Sequence, residues 1–340
     1  MATIELFVNL CLNLKNCMNK KLLIAEPIAG ELDKFIAYYK ESIYCNNTRI
    51  QEIIDHIMKS DGKHIRPILL LFAAKACGDV NEITYHTAVT IELLHTASLI
   101  HDDVVDESKL RRGKPSVNAI FDNKMAVLAG DYFLSTALIK SVLTGNIDII
   151  SEVSALGRNL AEGELNQLSL VKELILDEKE YFEVIRKKTA SLMSVCMKVG
   201  AISVGAADQE VEKFERLGEY IGMCFQLRDD IFDYFTNNVG KPTGNDIREG
   251  KVTLPLLHAL EKSPRAERDK MYSVISSYNY TDDNIDMLIA YAKEYGGIDY
   301  AYTRMAEYKD KAIGIIDTIG KQDMREGLRD VMNYIVDRTY

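Results

Sequence analysis

A chain of 340 residues with 47% hydrophobic and 27% charged residues has ample material for a globular core. Its formal net charge of −10 excludes the broad basic surface that nucleic-acid binding needs, yet leaves room for anionic substrates, because bound cations can reverse a local field. The six cysteines (Cys11, Cys17, Cys45, Cys77, Cys196 and Cys224) are scattered with no Cys-x-x-Cys pair, a pattern that predicts reduced thiols, a cytoplasmic setting and no zinc site.

In chain order, Ile4 to Leu14 is apolar but has neither the basic flank nor the cleavage site of a signal peptide. Met1 and Met18 both remain open as starts, so residues 1–27 read as an N-terminal extension and 28–340 as one domain. No run approaches the ~20 apolar residues of a membrane span. Apolar residues at three- and four-residue spacing predict helices over 30–44, 48–59, 65–77, 82–105, 124–143, 147–173, 178–205, 209–236, 283–317 and 323–339. The six prolines (Pro27, Pro67, Pro115, Pro242, Pro255 and Pro264) all fall near helix boundaries. With no hairpin signal, Gly/Ser linker or short repeat, the expectation is an all-α, single-domain bundle of ten or more helices.

Two polar loops interrupt it, 107–118 and 237–252, and each follows an acidic helix end. In Asp102-Asp103-Val104-Val105-Asp106 the outer carboxylates lie one turn apart on one helix face, and Asp229-Asp230-Ile231-Phe232-Asp233 repeats the arrangement. Like charges at that spacing repel, and acids at a helix C-terminus oppose its dipole. A hard divalent cation removes both penalties, and magnesium fills its shell with one or two carboxylates, waters and phosphate oxygens. A solvated helix end is the plainer reading of one such motif, but two of them in apolar settings, each followed by a cationic loop, point to metal ligands. Lys63 and Arg66 open a helix N-terminus, a ready anion site that needs no metal. His95 lies two turns before the first aspartates, and Arg111, Arg112, Lys188, Thr189, Lys241 and Lys251 add further cations and a hydroxyl.

These motifs resemble the trans-prenyltransferase (polyprenyl diphosphate synthase) family, and the octaprenyl type most of all. The resemblance rests on Gly62-Lys63-x-x-Arg66-Pro67, His95, Asp102-Asp103-x-x-Asp106 with Arg111-Arg112-Gly113, Lys188-Thr189, Gln226-x-x-Asp229-Asp230-x-x-Asp233, Gly240-Lys241 and Glu249-Gly250-Lys251. Asp61 and His64 depart from the family pattern, which usually has glycine and a basic residue there.

The resemblance implies an isoprenoid-synthase bundle around a prenyl-chain cavity, a homodimer, three Mg2+ per site, and transient membrane contact for product release. It assigns the allylic diphosphate to magnesium on Asp102, Asp103, Asp106, Asp229, Asp230 and Asp233, helped by Arg111, Lys188, Lys241 and Lys251. Isopentenyl diphosphate would sit on Lys63, Arg66, His95 and Arg112. Thr189 and Gln226 would steady the allyl cation, and released pyrophosphate would take the proton. Small Ala97 and Ser98, with Leu94 deeper, replace the bulky residues that stop growth in short-chain members, so a product longer than farnesyl is expected and geranylgeranyl stays open. A terpene cyclase would not need the Lys63-Arg66-His95 site. A di-iron bundle would need a second Glu-x-x-His beside Glu92-x-x-His95, and a non-catalytic subunit would have lost aspartates.

Overall fold

The computed structural model describes residues 25–59, 64–235 and 243–338. The all-α expectation is borne out. After a 3-10 turn at Glu26–Ile28 come α1 (Ala29–Ile43), α2 (Thr48–Met58), α3 (Ile65–Cys77) and α4 (Glu82–Val105), then α5 (Val117–Phe121), α6 (Asn123–Leu143) and α7 (Ile147–Glu173). The second half holds α8 (Glu178–Ile185), α9 (Ser191–Ser203), α10 (Asp208–Phe232), α11 (Asn245–Arg248), α12 (Leu254–Lys262), α13 (Arg265–Ser276), α14 (Asp282–Glu294), α15 (Gly297–Ile316) and α16 (Gln322–Asp337).

Four local features differ from the sequence expectation. The predicted helix over 178–205 passes through a π-helical turn, Arg186–Ala190, between α8 and α9. The predicted 283–317 helix is two, parted at Gly296, whose φ of 73° suits glycine. α12 and α13 were not anticipated, because Pro255 and Pro264 read as breakers whereas they stand at helix starts, where proline is tolerated. Loop 107–118 holds a small antiparallel hairpin, β1 (Leu110–Arg111) and β2 (Lys114–Pro115), turned by Arg112 and Gly113 at φ 53° and 75°. Strands of two residues are too short to show alternation.

The chain divides into two compact units. The first comprises the described residues of Met1–Ser154, Val195–Phe214 and Ile319–Asp330. Its centre is α4, packed by α1, α3 and α6. Asn81 and Thr84 cap α4 reciprocally, and the buried hydroxyls of Thr87 and Thr90 bond back to the carbonyls of Ile83 and His86. α6 is long and apolar enough to cross a membrane by length and composition alone, with mean hydropathy 1.4, although the sequence reading found no such run. One face of it packs on α4, where a Cβ at Gly130 would lie 2.2 Å from His101 Nε2. Its other side leaves Leu128, Leu138, Ile139, Val142 and Leu143 exposed.

The second unit comprises the described residues of Ala155–Ser194, Glu215–Thr318 and Val331–Tyr340. Here α12 packs on α14 and α15. Gly218 and Gly222 on α10 bring backbones together: added Cβ atoms would lie 2.4 Å from the Met193 carbonyl and 2.5 Å from Ala190 Cα. Backbone cannot step aside, so Gly218→Ala should cost about 1–3 kcal/mol and lower Tm by roughly 2–10 °C. Gly314→Ala on α15 meets nothing within 4 Å and should instead raise stability by about 0.5 kcal/mol or more. Thermal unfolding of the two variants reads opposite signs.

Candidate active site

In the first unit, the end of α4 separates its three aspartates by environment. Asp103 is 4% exposed, whereas Asp102 is half-buried and Asp106 exposed. Arg111 returns along the hairpin to Asp103, donating from Nε at 2.9 Å and also from Nη2 to the same Oδ1. The Asp103 carbonyl accepts from Asn118 Nδ2 and the Ser108 amide. Asp103 and Arg111, both assigned to the allylic diphosphate by resemblance, thus hold each other and pin the loop to the helix.

One face further along α4 lies a cationic cradle. Arg66, His95 and Arg112 act electrostatically on one another here, together with Glu92. Burial, reinforced by Arg66, Arg112 and Arg111, holds His95 well below the usual histidine range, so its ring is neutral. Burial opposes the Glu92 carboxylate, but the bond from His64 Nδ1 (3.0 Å) and the charges of His64, Arg66 and Arg112 outweigh it and keep Glu92 ionised. Glu92 is therefore committed to His64 rather than to a di-iron site. Arg66 Nε and Glu92 Oε2 are buried with no hydrogen-bond partner, and an unpaired buried guanidinium donor suits an anion. A cavity of about 100 Å3 runs past Tyr39, His64, Glu92, His95 and Arg112. Leu94 and Ala97 are buried on α4 and Ser98 is half-buried, its hydroxyl bonded to the His95 carbonyl. None of the three lines that cavity.

The second unit repeats the pattern on α10. Asp230 is buried and accepts from the Tyr181 hydroxyl (2.5 Å) and from Gln226 Nε2 (2.7 Å). Burial raises it to about 7 despite those bonds, with Asp229 and Asp233 pushing the same way. Asp233 accepts from the Asn245 and Asp246 amides at 2.8 and 3.0 Å, capping α11, and Asp229 is paired with Arg338. Asp246 is lifted to about 8 by burial and by Asp230 and Asp233. Thr189 donates to Gln226 Oε1 at 2.7 Å, so Thr189, Gln226 and Asp230 form one directed chain. A cavity of about 270 Å3 is lined at its polar end by Lys188, Thr189, Gln226, Asp230, Asp246 and Lys251. Leu170, Leu174, Val184 and Leu257 line its apolar wall.

Lys63 and Lys241 lie outside the described residues. Sequence reasoning did not single out Tyr181, Asp246, Arg338, Glu164 or Gln167. Asp246 sits in the recognised cationic loop and could have been found there, but Tyr181 and Arg338 reach α10 from distant segments and left no local signal.

Helices throughout, paired hard-oxygen motifs and a cluster of Arg66, His95 and Arg112 beside a cavity point to an all-α enzyme of diphosphate chemistry. The chain belongs to the polyprenyl synthetase family, whose profile matches residues 47–292. It is 35% identical to octaprenyl diphosphate synthase of Haemophilus influenzae over 287 residues, covering 84% of this chain and 87% of that one. A geranylgeranyl pyrophosphate synthase structure from Bacteroides thetaiotaomicron is 43% identical with TM-score 0.82, covering 94% and 100%. A Caulobacter crescentus polyprenyl synthase complexed with calcium and isoprenyl diphosphate is 31% identical with TM-score 0.87, covering 95% and 98%. The chain is a trans-prenyltransferase that condenses isopentenyl diphosphate with an allylic diphosphate to give a linear prenyl diphosphate.

Because the folded pKa values of Asp230 and Asp246 stand above the ordinary carboxylate value, the fold favours their protonated forms. The contribution of these two acids to metal-free stability is therefore greatest at acid pH and is lost as pH rises from about 4 towards about 8, while buried neutral His95 and ionised Glu92 act with the opposite sign. Thermal unfolding in EDTA should show the Tm of Asp246→Asn gaining on the wild type as pH rises across that window, and saturating Mg2+ should narrow the difference.

Proposed function

We propose that this enzyme uses magnesium to make a long-chain, octaprenyl-type product, and that it works as a homodimer in the cytoplasm. The observation that carries the product length is on α4: carboxylates at its end, and small Ala97 with Ser98 one turn behind them. One turn rises 5.4 Å, comparable to one isoprene unit, so small residues there move the floor of a growing-chain tunnel deeper, towards Leu94.

The donor set suits magnesium. Among the described residues, no three of His, Cys, Asp or Glu converge into a ready-made cage. Magnesium does not require one, since it keeps waters and takes substrate phosphate oxygens. Asp102 and Asp106 in the first motif, and Asp229 and Asp233 in the second, would hold it, with Asp103 and Asp230 bracing their helices from within. When bound, the ion supplies neutralisation of charge on departing pyrophosphate. The Caulobacter relative's calcium and isoprenyl diphosphate support that pairing of ion and substrate.

Arg66 Nε, neutral His95 and Arg112 hold the diphosphate of isopentenyl diphosphate without metal, with Lys63 beside Arg66 in sequence. Lys188, with Lys241 and Lys251, neutralises the allylic diphosphate. The Thr189 hydroxyl donates its hydrogen bond to Gln226 Oε1, leaving its oxygen lone pairs to face an allyl cation. No side-chain base is needed if pyrophosphate takes the departing proton. The Asp103–Arg111 bond keeps loop 107–118 against the end of α4.

The geranylgeranyl reading is favoured by the 43% identity to the Bacteroides structure. Purified protein given Mg2+, isopentenyl diphosphate and farnesyl diphosphate, with products sized by mass spectrometry, separates the two. Octaprenyl-sized product is expected; arrest at geranylgeranyl would establish the second reading, and no elongation would sink both. Ala97→Phe should shorten the product while the first condensation proceeds at a near-normal rate, and unchanged length would discard the tunnel assignment.

The exposed apolar side of α6 supports the dimer, since Leu128, Leu138, Ile139 and Val142 share one face, each at least half exposed. Light scattering should find dimers for the wild type and monomers for Leu138→Glu/Ile139→Glu. Unpaired thiols at Cys45, Cys77, Cys196 and Cys224 support a reducing compartment.

A further inference from the structure

We propose that Glu164 and Gln167 of α7 are positioning residues that aim one N–H of Lys188 at the allylic diphosphate, an inference resting on the Lys188 role given above. Lysine carries three donors on a flexible stem, and by itself commits none of them to a direction. Here Lys188 Nζ donates to Gln167 Oε1 at 2.7 Å and is ion-paired with Glu164. Two donors are thereby spent on α7, and the tetrahedral geometry fixes where the third points. Lys188 and Gln167 both line the 270 Å3 cavity that also holds Thr189, Gln226 and Asp230.

The backbone is built for this arrangement. The π turn Arg186–Ala190 carries Lys188 and Thr189, and such single π turns are typical of functional sites. α7 meets that turn at Gly163, where a Cβ would lie 3.0 Å from the Lys188 amide nitrogen and 3.2 Å from its Cα. The glycine lets Glu164 and Gln167, the next residues on that part of α7, come within reach of the ammonium. On the far side, the Thr189 bond to Gln226 ties the same turn to α10. A neighbouring pair between the same elements, Lys187 with Glu162 at 3.4 Å, lies outside the cavity and serves as an internal control. Exposed pairs of that kind contribute little. The Lys188–Glu164 pair is the less exposed of the two, at 29% and 18% against 36% and 47%.

A preorganised donor acts on charge that develops as pyrophosphate departs, so its loss lowers kcat more than it raises KM. Steady-state kinetics should be measured for Lys188→Ala, Glu164→Ala/Gln167→Met, Glu164→Gln, and Glu162→Ala. The double variant should lose about tenfold to a hundredfold in kcat, with KM for isopentenyl diphosphate unchanged. Glu164→Gln, which keeps an oxygen acceptor, should recover most of that loss, and Glu162→Ala should match the wild type. Added to Lys188→Ala, the double substitution should cost nothing more, since its effect runs through the lysine. Full additivity in that background would mark a merely structural role and overturn the proposal. So would a wild-type kcat in the double variant, with the Lys188 role left standing if Lys188→Ala alone is impaired. A fully active Lys188→Ala would overturn both. A lower KM for the allylic substrate in Glu164→Gln would show competition with the substrate rather than positioning, and would also overturn it.

Discussion

Crowding carboxylates at the end of a helix is the constraint around which this protein is arranged. Three acids within five residues repel one another and oppose the helix dipole, and the sequence does so twice. The structure turns the middle acid inward both times, and in the second motif it engages the outer acids as well, Asp229 by Arg338 and Asp233 by the amides that open α11. The middle acid is turned inward and bound, Asp103 by Arg111 and Asp230 by Tyr181 and Gln226, while the outer acids stay closer to solvent. In each motif the middle acid is thus spent on protein contacts rather than left facing solvent.

The cationic cradle on α4 follows a related logic with opposite sign. Arg66 and Arg112 near a buried His95 would repel if all three were charged. The histidine gives way and stays neutral, and Glu92 remains ionised among them with His64 as its direct partner. Within the cradle Arg66 Nε and Glu92 Oε2 are left without a hydrogen-bond partner. The His64 that departs from the family's usual basic residue finds its explanation in this pairing, because an imidazole Nδ1 reaches the Glu92 carboxylate at 3.0 Å.

Much of this was legible in the residues. Periodicity placed α3 and α4 to the residue, because buried helices with clear Asn or Gly punctuation announce their ends. It ran α14 into α15 because apolar spacing continues past Tyr295, and only the left-handed Gly296 makes the break. The π turn was invisible for the same reason: one added residue barely disturbs the spacing over a long segment. The aspartates and arginines could be named from their motifs. Which acid faces inward could not, since Tyr181 is 49 residues from Asp230, and Arg338 is 109 from Asp229. Contacts of that kind are set by packing, not by local pattern.

The hairpin at Arg111-Arg112-Gly113 divides two adjacent, chemically identical side chains between unlike duties. Arg111 sits on a strand and is consumed by Asp103, whereas Arg112, at φ 53°, contributes to the cradle around His95 and Glu92. Only the count of residues from Val105 to the turn decides which arginine does which. Surface loops usually drift freely in length over evolutionary time, but a single insertion or deletion here would move one arginine into the other's place and leave Leu110 or Gly113 in its own. This loop should therefore keep its length even in lineages where its other residues change.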